Sequence, residues 1–309
     1  MLRYILRKAL RALMTMFLVV TFTFLILRIS GDPTEIMFPD DVPQEVKDAY
    51  RIAWGLDKPL HEQFVKYLVS IGHGDLGYSF RDSRPALDVV TERIPATLRL
   101  GLSAFALSVC MGVPLGLCAA FRRNTFLDRL ATSVSVMGYS MPNFFLGILL
   151  ILLFSLKLRL LPSSGSATPE HLIMPVITLG TATAGIVARF TRTAVLDVLG
   201  QPFVTAAKAK GLSTSGLIFG HVLPNAAIPV ITILGLQLGA VIGGALVTET
   251  VFAWPGVGRL LVQAVNYRDL AVVQTIVLII SASMILCNLL VDTAYGWLDP
   301  RIRSERTTS

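Results

Sequence analysis

Charge, cysteine and histidine are all scarce in this sequence, and each shortage excludes something. Only 15% of the 309 residues are charged, against about 25% in soluble globular domains, so a water-soluble enzyme or binding domain is a poor match. The three cysteines, Cys110, Cys118 and Cys287, lie inside apolar stretches; they suggest no disulfide framework and read as small buried residues. The four histidines, His61, His73, His171 and His221, contain no i, i+4 pair, so no metal site is expected. No lysine follows a glycine anywhere, which removes the phosphate-cradling Gly-x-x-x-x-Gly-Lys loop. Any ATP hydrolysis must therefore come from another polypeptide. Gly-x-Ser-x-Gly and His-Glu-x-x-His are also missing, and no carboxylate pair falls within an apolar run, which argues against an intramembrane hydrolase.

What is abundant is apolar sequence: 53% of residues are hydrophobic and the mean hydropathy is +0.67. A helix needs roughly 20 mainly apolar residues to cross the hydrocarbon core. Six segments qualify, at 9–29, 98–121, 132–156, 172–192, 227–250 and 272–297. Helices are expected because lipid offers the backbone no hydrogen-bond partners. The fourth segment is the shortest in its charge-free part, and Arg189 and Arg192 can extend it by snorkelling to the headgroups. No ionisable residue lies well inside these segments, which disfavours an ion-coupled secondary transporter.

The net charge of +7 is not a nucleic-acid stripe, because the basic residues cluster beside apolar runs. Arg3, Arg7, Lys8 and Arg11 precede the first segment; Arg122, Arg123 and Arg129 follow the second; Lys208 and Lys210 follow the fourth; Arg301, Arg303 and Arg306 follow the last. By the positive-inside rule these ends are cytoplasmic, giving six spans with both termini inside and one transmembrane domain over residues 1–309. The first segment has no small-residue cleavage site before Arg28 and is expected to be retained.

Residues 30–95 leave the apolar regime, carry Asp40, Asp41, Glu45 and Asp48, and are expected outside the cytoplasm. Leu60, Phe64, Tyr67, Leu68 and Ile71 recur at helical spacing, suggesting one or two short helices lying on the membrane surface. Such helices would serve as a structural lid or as part of a platform for a solute-delivering protein.

Residues 193–226 form the long cytoplasmic loop. Pro202 suits a first helical turn, Phe203, Ala206 and Ala207 share a face, and Gly211 can supply a left-handed C-terminal cap. Ser213 can cap a second short helix, and Pro224 can interrupt it where the chain re-enters the membrane. Small residues on a compact helix-turn-helix suit insertion into a partner's cleft; an ordinary interhelical loop is the alternative.

This loop resembles the coupling signature of ATP-binding-cassette importer permeases: Glu-Ala-Ala, three residues, Gly, nine residues, Ile-x-Leu-Pro. Thr205, Ala206, Ala207, Gly211, His221, Leu223 and Pro224 stand at those places, with Thr205 for Glu and His221 for Ile. Phe203, Lys208, Lys210 and Leu212 complete the candidate coupling set. Further collinear blocks resemble the dipeptide, oligopeptide and glutathione branch: Gly31-Asp32-Pro33, Leu56-Asp57-Lys58-Pro59-Leu60, Gly74-Asp75-Leu76-Gly77, Pro95-Ala96-Thr97-Leu98, residues 140–147, residues 248–256 and Asp299-Pro300-Arg301.

The resemblance implies an all-α type I ABC importer permease fold in a bacterial inner membrane. It also implies a second homologous permease, two ATPase subunits or domains that hold ATP and Mg, and an extracytoplasmic solute-binding protein. Short peptides are the implied cargo, with nickel or a sugar-like solute as alternatives on the same machinery.

Pathway or gate candidates follow from residue chemistry. Pro142 frees backbone groups inside the third segment, and Ser140 and Asn143 beside it can satisfy them or face a watery path. Gln237 lies mid-segment, where an amide facing lipid is costly. Glu249 and Asp292 lie near segment ends, where water contact, pairing with an Arg, or gating are the options. Glycines 235, 239, 243 and 244 permit a tight helix face, suited to a second permease.

Overall fold

The computed structural model describes residues 2–29, 34, 38, 42–241, 243 and 245–298, excluding the side chains of 2–7, 9, 54 and 291–298. Gly31-Asp32-Pro33, Asp40, Asp41, Gly244 and the cluster 299–306 lie outside the described residues, as do the side chains of Arg3, Arg7 and Asp292. Among the described residues five helices are long and apolar enough to cross a membrane, and a sixth crossing is available if one bent helix pair counts as a span. The chain divides into two compact units: Met1–Thr97 with Pro255–Ile285, and Leu98–Trp254 with Leu286–Ser309.

In the first unit, α1 (Leu2–Ile29) is followed by α2 (Gln44–Trp54) and α3 (Leu60–Gly72). A two-residue antiparallel hairpin, β1 (Tyr78–Ser79) and β2 (Arg84–Pro85), then leads into α4 (Ala86–Thr91). The unit is completed by α13 (Val257–Asn266) and the start of α14 (Leu270–Leu298).

Helix α3 falls in the expected place, but its aromatic face packs against α1. Phe24 is almost fully buried, 5.2 Å from the Phe64 ring and stacked at 5.8 Å on Tyr67. Burying rings against rings stabilises more than leaving them in the headgroup layer, and the ring pairs add directional contacts. Burial also pushes the Tyr67 hydroxyl up to about 12.

The core of this unit gathers Val89 and Val90 of α4, Val257 and Ala264 of α13, and Val272, Val273 and Ile276 of α14. Asp269 holds the hairpin to the start of α14: its carboxylate accepts from the Ser79 hydroxyl at 2.5 Å and from the Val272 N–H at 3.3 Å. It is buried, and desolvation raises its pKa.

The second unit begins in α5 (Ile94–Phe121). It continues through α6 (Phe126–Ser140) and α7 (Asn143–Leu150), which runs on as a π turn at Ile151–Lys157. Then come α8 (Ile173–Leu199), α9 (Pro202–Ala209), α10 (Thr214–Leu217), α11 (Leu223–Gly239) and α12 (Leu246–Val251).

Small residues set this packing, since lipid tails give helices no hydrophobic reason to associate. A Cβ on Gly112 would lie 2.7 Å from the Ala184 carbonyl oxygen, and one on Gly116 2.5 Å from that of Ala188. Helices α5 and α8 therefore meet backbone to backbone through a Gly-x-x-x-Gly face.

Several expectations change here. The third segment is two helices bent by 97° at Met141-Pro142. The fifth ends at Gly239, short of the expected Thr250: the sequence stays apolar through Val247, but the helix stops at Ala240 and a separate one begins at Leu246. Gly239 approaches Cys287 of α14 within the chain, so that glycine is spent on intrachain packing. Cys110 and Cys118, expected to be buried, are exposed; on a spanning helix an outward thiol meets lipid, which tolerates it as a small apolar group.

Arg192, expected to snorkel, instead forms a two-pronged ion pair with Asp128 on α6. Nε donates to Oδ1 at 2.8 Å and an Nη to Oδ2 at 2.9 Å. The Asp128 side chain is only 7% exposed and Arg192 29%. Removing one partner from a well-buried pair costs about 3–5 kcal/mol; the part-exposed guanidinium lowers that figure here.

Candidate coupling segment and pathway residues

The coupling segment is assembled by local signals. Helix α8 closes at Gly200, whose N–H donates to the Leu196 carbonyl at 3.1 Å, and Gln201 is the extended N-cap of α9. Pro202 opens α9, where its fixed φ suits the first turn and its missing N–H costs nothing.

Helix α9 ends in a complete Schellman motif. The Gly211 N–H donates to Lys208 O at 3.0 Å and the Leu212 N–H to Ala207 O at 3.3 Å, with Gly211 at φ +77°. Ser213 then caps α10 by accepting from the Gly216 N–H at 3.2 Å.

Two hydrophobic anchors fix this hairpin. Val204 and Leu217 are buried with Val195 of α8, Ala120 of α5, and Val222, Ala226 and Val230 leading into and along α11. The buried face of α9 is therefore set by Val204 with half-buried Ala207, and not by Phe203 and Ala206, which point outward. Thr205, Lys208, Lys210, Gly211 and Leu212 are exposed.

Pro224 does not interrupt the chain. Helix α10, a π turn at Ile218–Val222 and α11 run on as one stretch, Thr214–Gly239. The π turn is where the ladder accommodates proline's missing donor. There the Asn225 side-chain amide donates to His221 O at 2.7 Å. Leu223 is half-buried and Pro224 exposed. Phe219, 72% exposed on the same segment, was not singled out by the sequence; it falls in the nine-residue spacer between Gly211 and His221, where the signature specifies no residue type.

The pathway candidates are distributed differently. Ser140 ends α6, Pro142 is the N-cap of α7 and half-buried Asn143 its first residue, so all three sit at the 97° bend. Gln237 is half-buried near the end of α11. Glu249 lies on α12 and is fully buried, which disfavours water contact among its three options. Its helix packs on the bent span: Gly147 of α7 leaves room for a Cβ only 3.1 Å from the Phe252 ring, just after α12.

Comparison with known proteins decides the family. A model of the binding-protein-dependent transport system inner membrane component matches residues 112–304, and a model of the N-terminal part of such membrane components matches residues 1–101. The chain belongs to this family of ABC importer permeases. It is similar over 304 residues to the glutathione transport system permease protein GsiC of Escherichia coli O6:H1, at 41% identity, covering 98% of this chain and 99% of that protein. The corresponding protein of Salmonella paratyphi A is 40% identical over the same coverage.

Among solved structures, the inward-facing MetNI methionine ABC transporter matches with a TM-score of 0.58 at 18% identity, covering 68% of this chain and 96% of that one. An amino acid ABC transporter with histidines matches at 0.56 and 17%, covering 68% and 94%. These likenesses establish the fold. The protein is a non-catalytic, multi-pass permease subunit of the bacterial inner membrane.

Proposed function

We propose that the chain pairs with a second permease to line the import path for short peptides, glutathione among them. In this reading an extracytoplasmic solute-binding protein delivers the cargo, and α9 and α10 dock on one of two ATPase subunits or domains that hold the ATP and Mg. The cargo assignment is supported by end-to-end identity of 40–41% to permeases named for glutathione transport.

The observation that carries the energy source is the α9–α10 hairpin. Val204 and Leu217 tie it to three spanning helices, while Phe203, Thr205, Ala206 and Leu212 are left facing outward. A rigid, anchored hairpin with an unfilled apolar face works as a lever. ATP-driven closure of the ATPases would move it, and the spans would follow between two packings.

The test is uptake into proteoliposomes containing this permease, its partner permease, the ATPases and the binding protein. Glutathione or dipeptide import is expected to require ATP inside and to vanish when any component is omitted. Import by this chain alone under a proton gradient would contradict the reading.

A further inference from the structure

We infer that the Asp128–Arg192 pair is the strut through which movement of the coupling hairpin reaches the bent third span. This rests on the docking role proposed for α9. Arg192 lies two turns before the end of α8, and only Gly200 and Gln201 separate α8 from α9. Val195, one residue row away on α8, is buried against Val204 of α9, so the end of α8 and the hairpin form one packed body.

Asp128 lies in the first turn of α6 and is tied into that helix as firmly. It accepts from the Asn124 N–H at 2.9 Å and from the Thr132 hydroxyl at 3.3 Å, besides both Arg192 contacts. A two-pronged guanidinium–carboxylate contact fixes orientation as well as distance, so a displacement of α8 turns the base of α6. The other end of α6 is Ser140, at the 97° bend. One rigid helix of 15 residues thus connects the pair to the candidate gate.

The surroundings leave room for such a swing. Thr132 and Ser135 of α6, Arg189 and Arg192 of α8, and Leu115 and Ala119 of α5 line a cavity of about 280 Å³ where the three helices meet. Helices that slide need unfilled space beside them, because filled cores resist deformation. Along the rest of their contact α6 and α8 are close, a Cβ on Gly185 falling 2.3 Å from the Ser135 carbonyl oxygen, so motion about that point converts displacement at the base into displacement at the bend.

The test measures peptide imported per ATP hydrolysed, in the complete reconstituted transporter. Asp128→Asn keeps an acceptor for the Asn124 N–H but loses the charge that holds the fork. It is expected to leave the amount of co-purified ATPase unchanged and to lower peptide imported per ATP by tenfold or more. In a background with Cys110, Cys118 and Cys287 replaced by Ser, the double variant Asp128→Cys/Arg192→Cys is expected to be uncoupled when reduced. A short bifunctional thiol cross-linker should restore coupling to within threefold of the parent.

Unchanged import per ATP in Asp128→Asn would overturn the strut, as would import that falls only in step with assembled complex, or a cross-linked double variant that stays uncoupled. Loss of co-purified ATPase from variants of Phe203 or Gly211, with Asp128→Asn still fully coupled, would leave docking standing and remove the strut alone.

Discussion

The coupling hairpin and the bent third span are both interruptions of apolar sequence, yet they are held in opposite ways. The hairpin is short, capped by its own neighbours and anchored by two buried side chains, with Thr205, Ala206 and Gly211 of its signature exposed. The bend at Met141-Pro142 is set by one proline, but its 97° angle is fixed by distant packing, with Gly147 against Phe252. A lever must present its working face to a partner and hide its fastening; a gate must be shaped by the body it opens.

The largest effect expected from this contrast is at the fastening. Val204→Asp places a charge among Val195, Leu217 and Val222, which no hydrogen-bond partner there offsets. ATPase co-purification and uptake should fall more than tenfold, while the exposed neighbour change Thr205→Asp should leave membrane insertion and protein yield within twofold.

Gly211→Val comes next. Its φ of +77° costs a branched residue about 1–2 kcal/mol, although no atom lies within 4 Å of the added Cβ. Co-purified ATPase should drop several-fold with normal insertion, and Gly211→Asn should recover most of it, since Asn tolerates this conformation. Ser213→Ala removes one cap bond, about 1 kcal/mol, and should lower uptake by no more than about threefold.

The hairpin was legible because caps and turns are written by adjacent residues: Pro202, Gly211 and Ser213 each act within four positions. Val204 was missed because an eight-residue helix offers several apolar spacings, and only the spanning helices decide which face is buried. The turn after Gly239 was hidden because the sequence stays apolar through Val247, and the burial of Glu249 because a carboxylate flanked by threonines reads as a wet segment end. The Asp128–Arg192 pair spans 64 positions, a separation no local pattern reports. Likewise the six apolar runs were readable from length alone, whereas the α5–α8 glycine contact required the fold.

The smallest expected effect lies outside both regions, at Asp269, where it gives a control. Its pKa is raised by burial, so its contribution is most favourable at low pH, below the unfolded aspartate value, and is lost as pH rises through the raised folded value. Asp269→Asn should flatten that part of the dependence of thermal unfolding on pH in detergent, without altering ATPase co-purification.

The most direct test of the account is cysteine cross-linking of the hairpin to the ATPase in membranes, in the background lacking the native cysteines. Ala206→Cys, on the exposed face, should give a cross-linked permease–ATPase product whose yield changes when ATP is added. Val204→Cys, on the buried face, should give none. Cross-linking from Val204 but not Ala206, or from neither in a transporter that still imports, would contradict α9 as the element that couples ATP hydrolysis to transport.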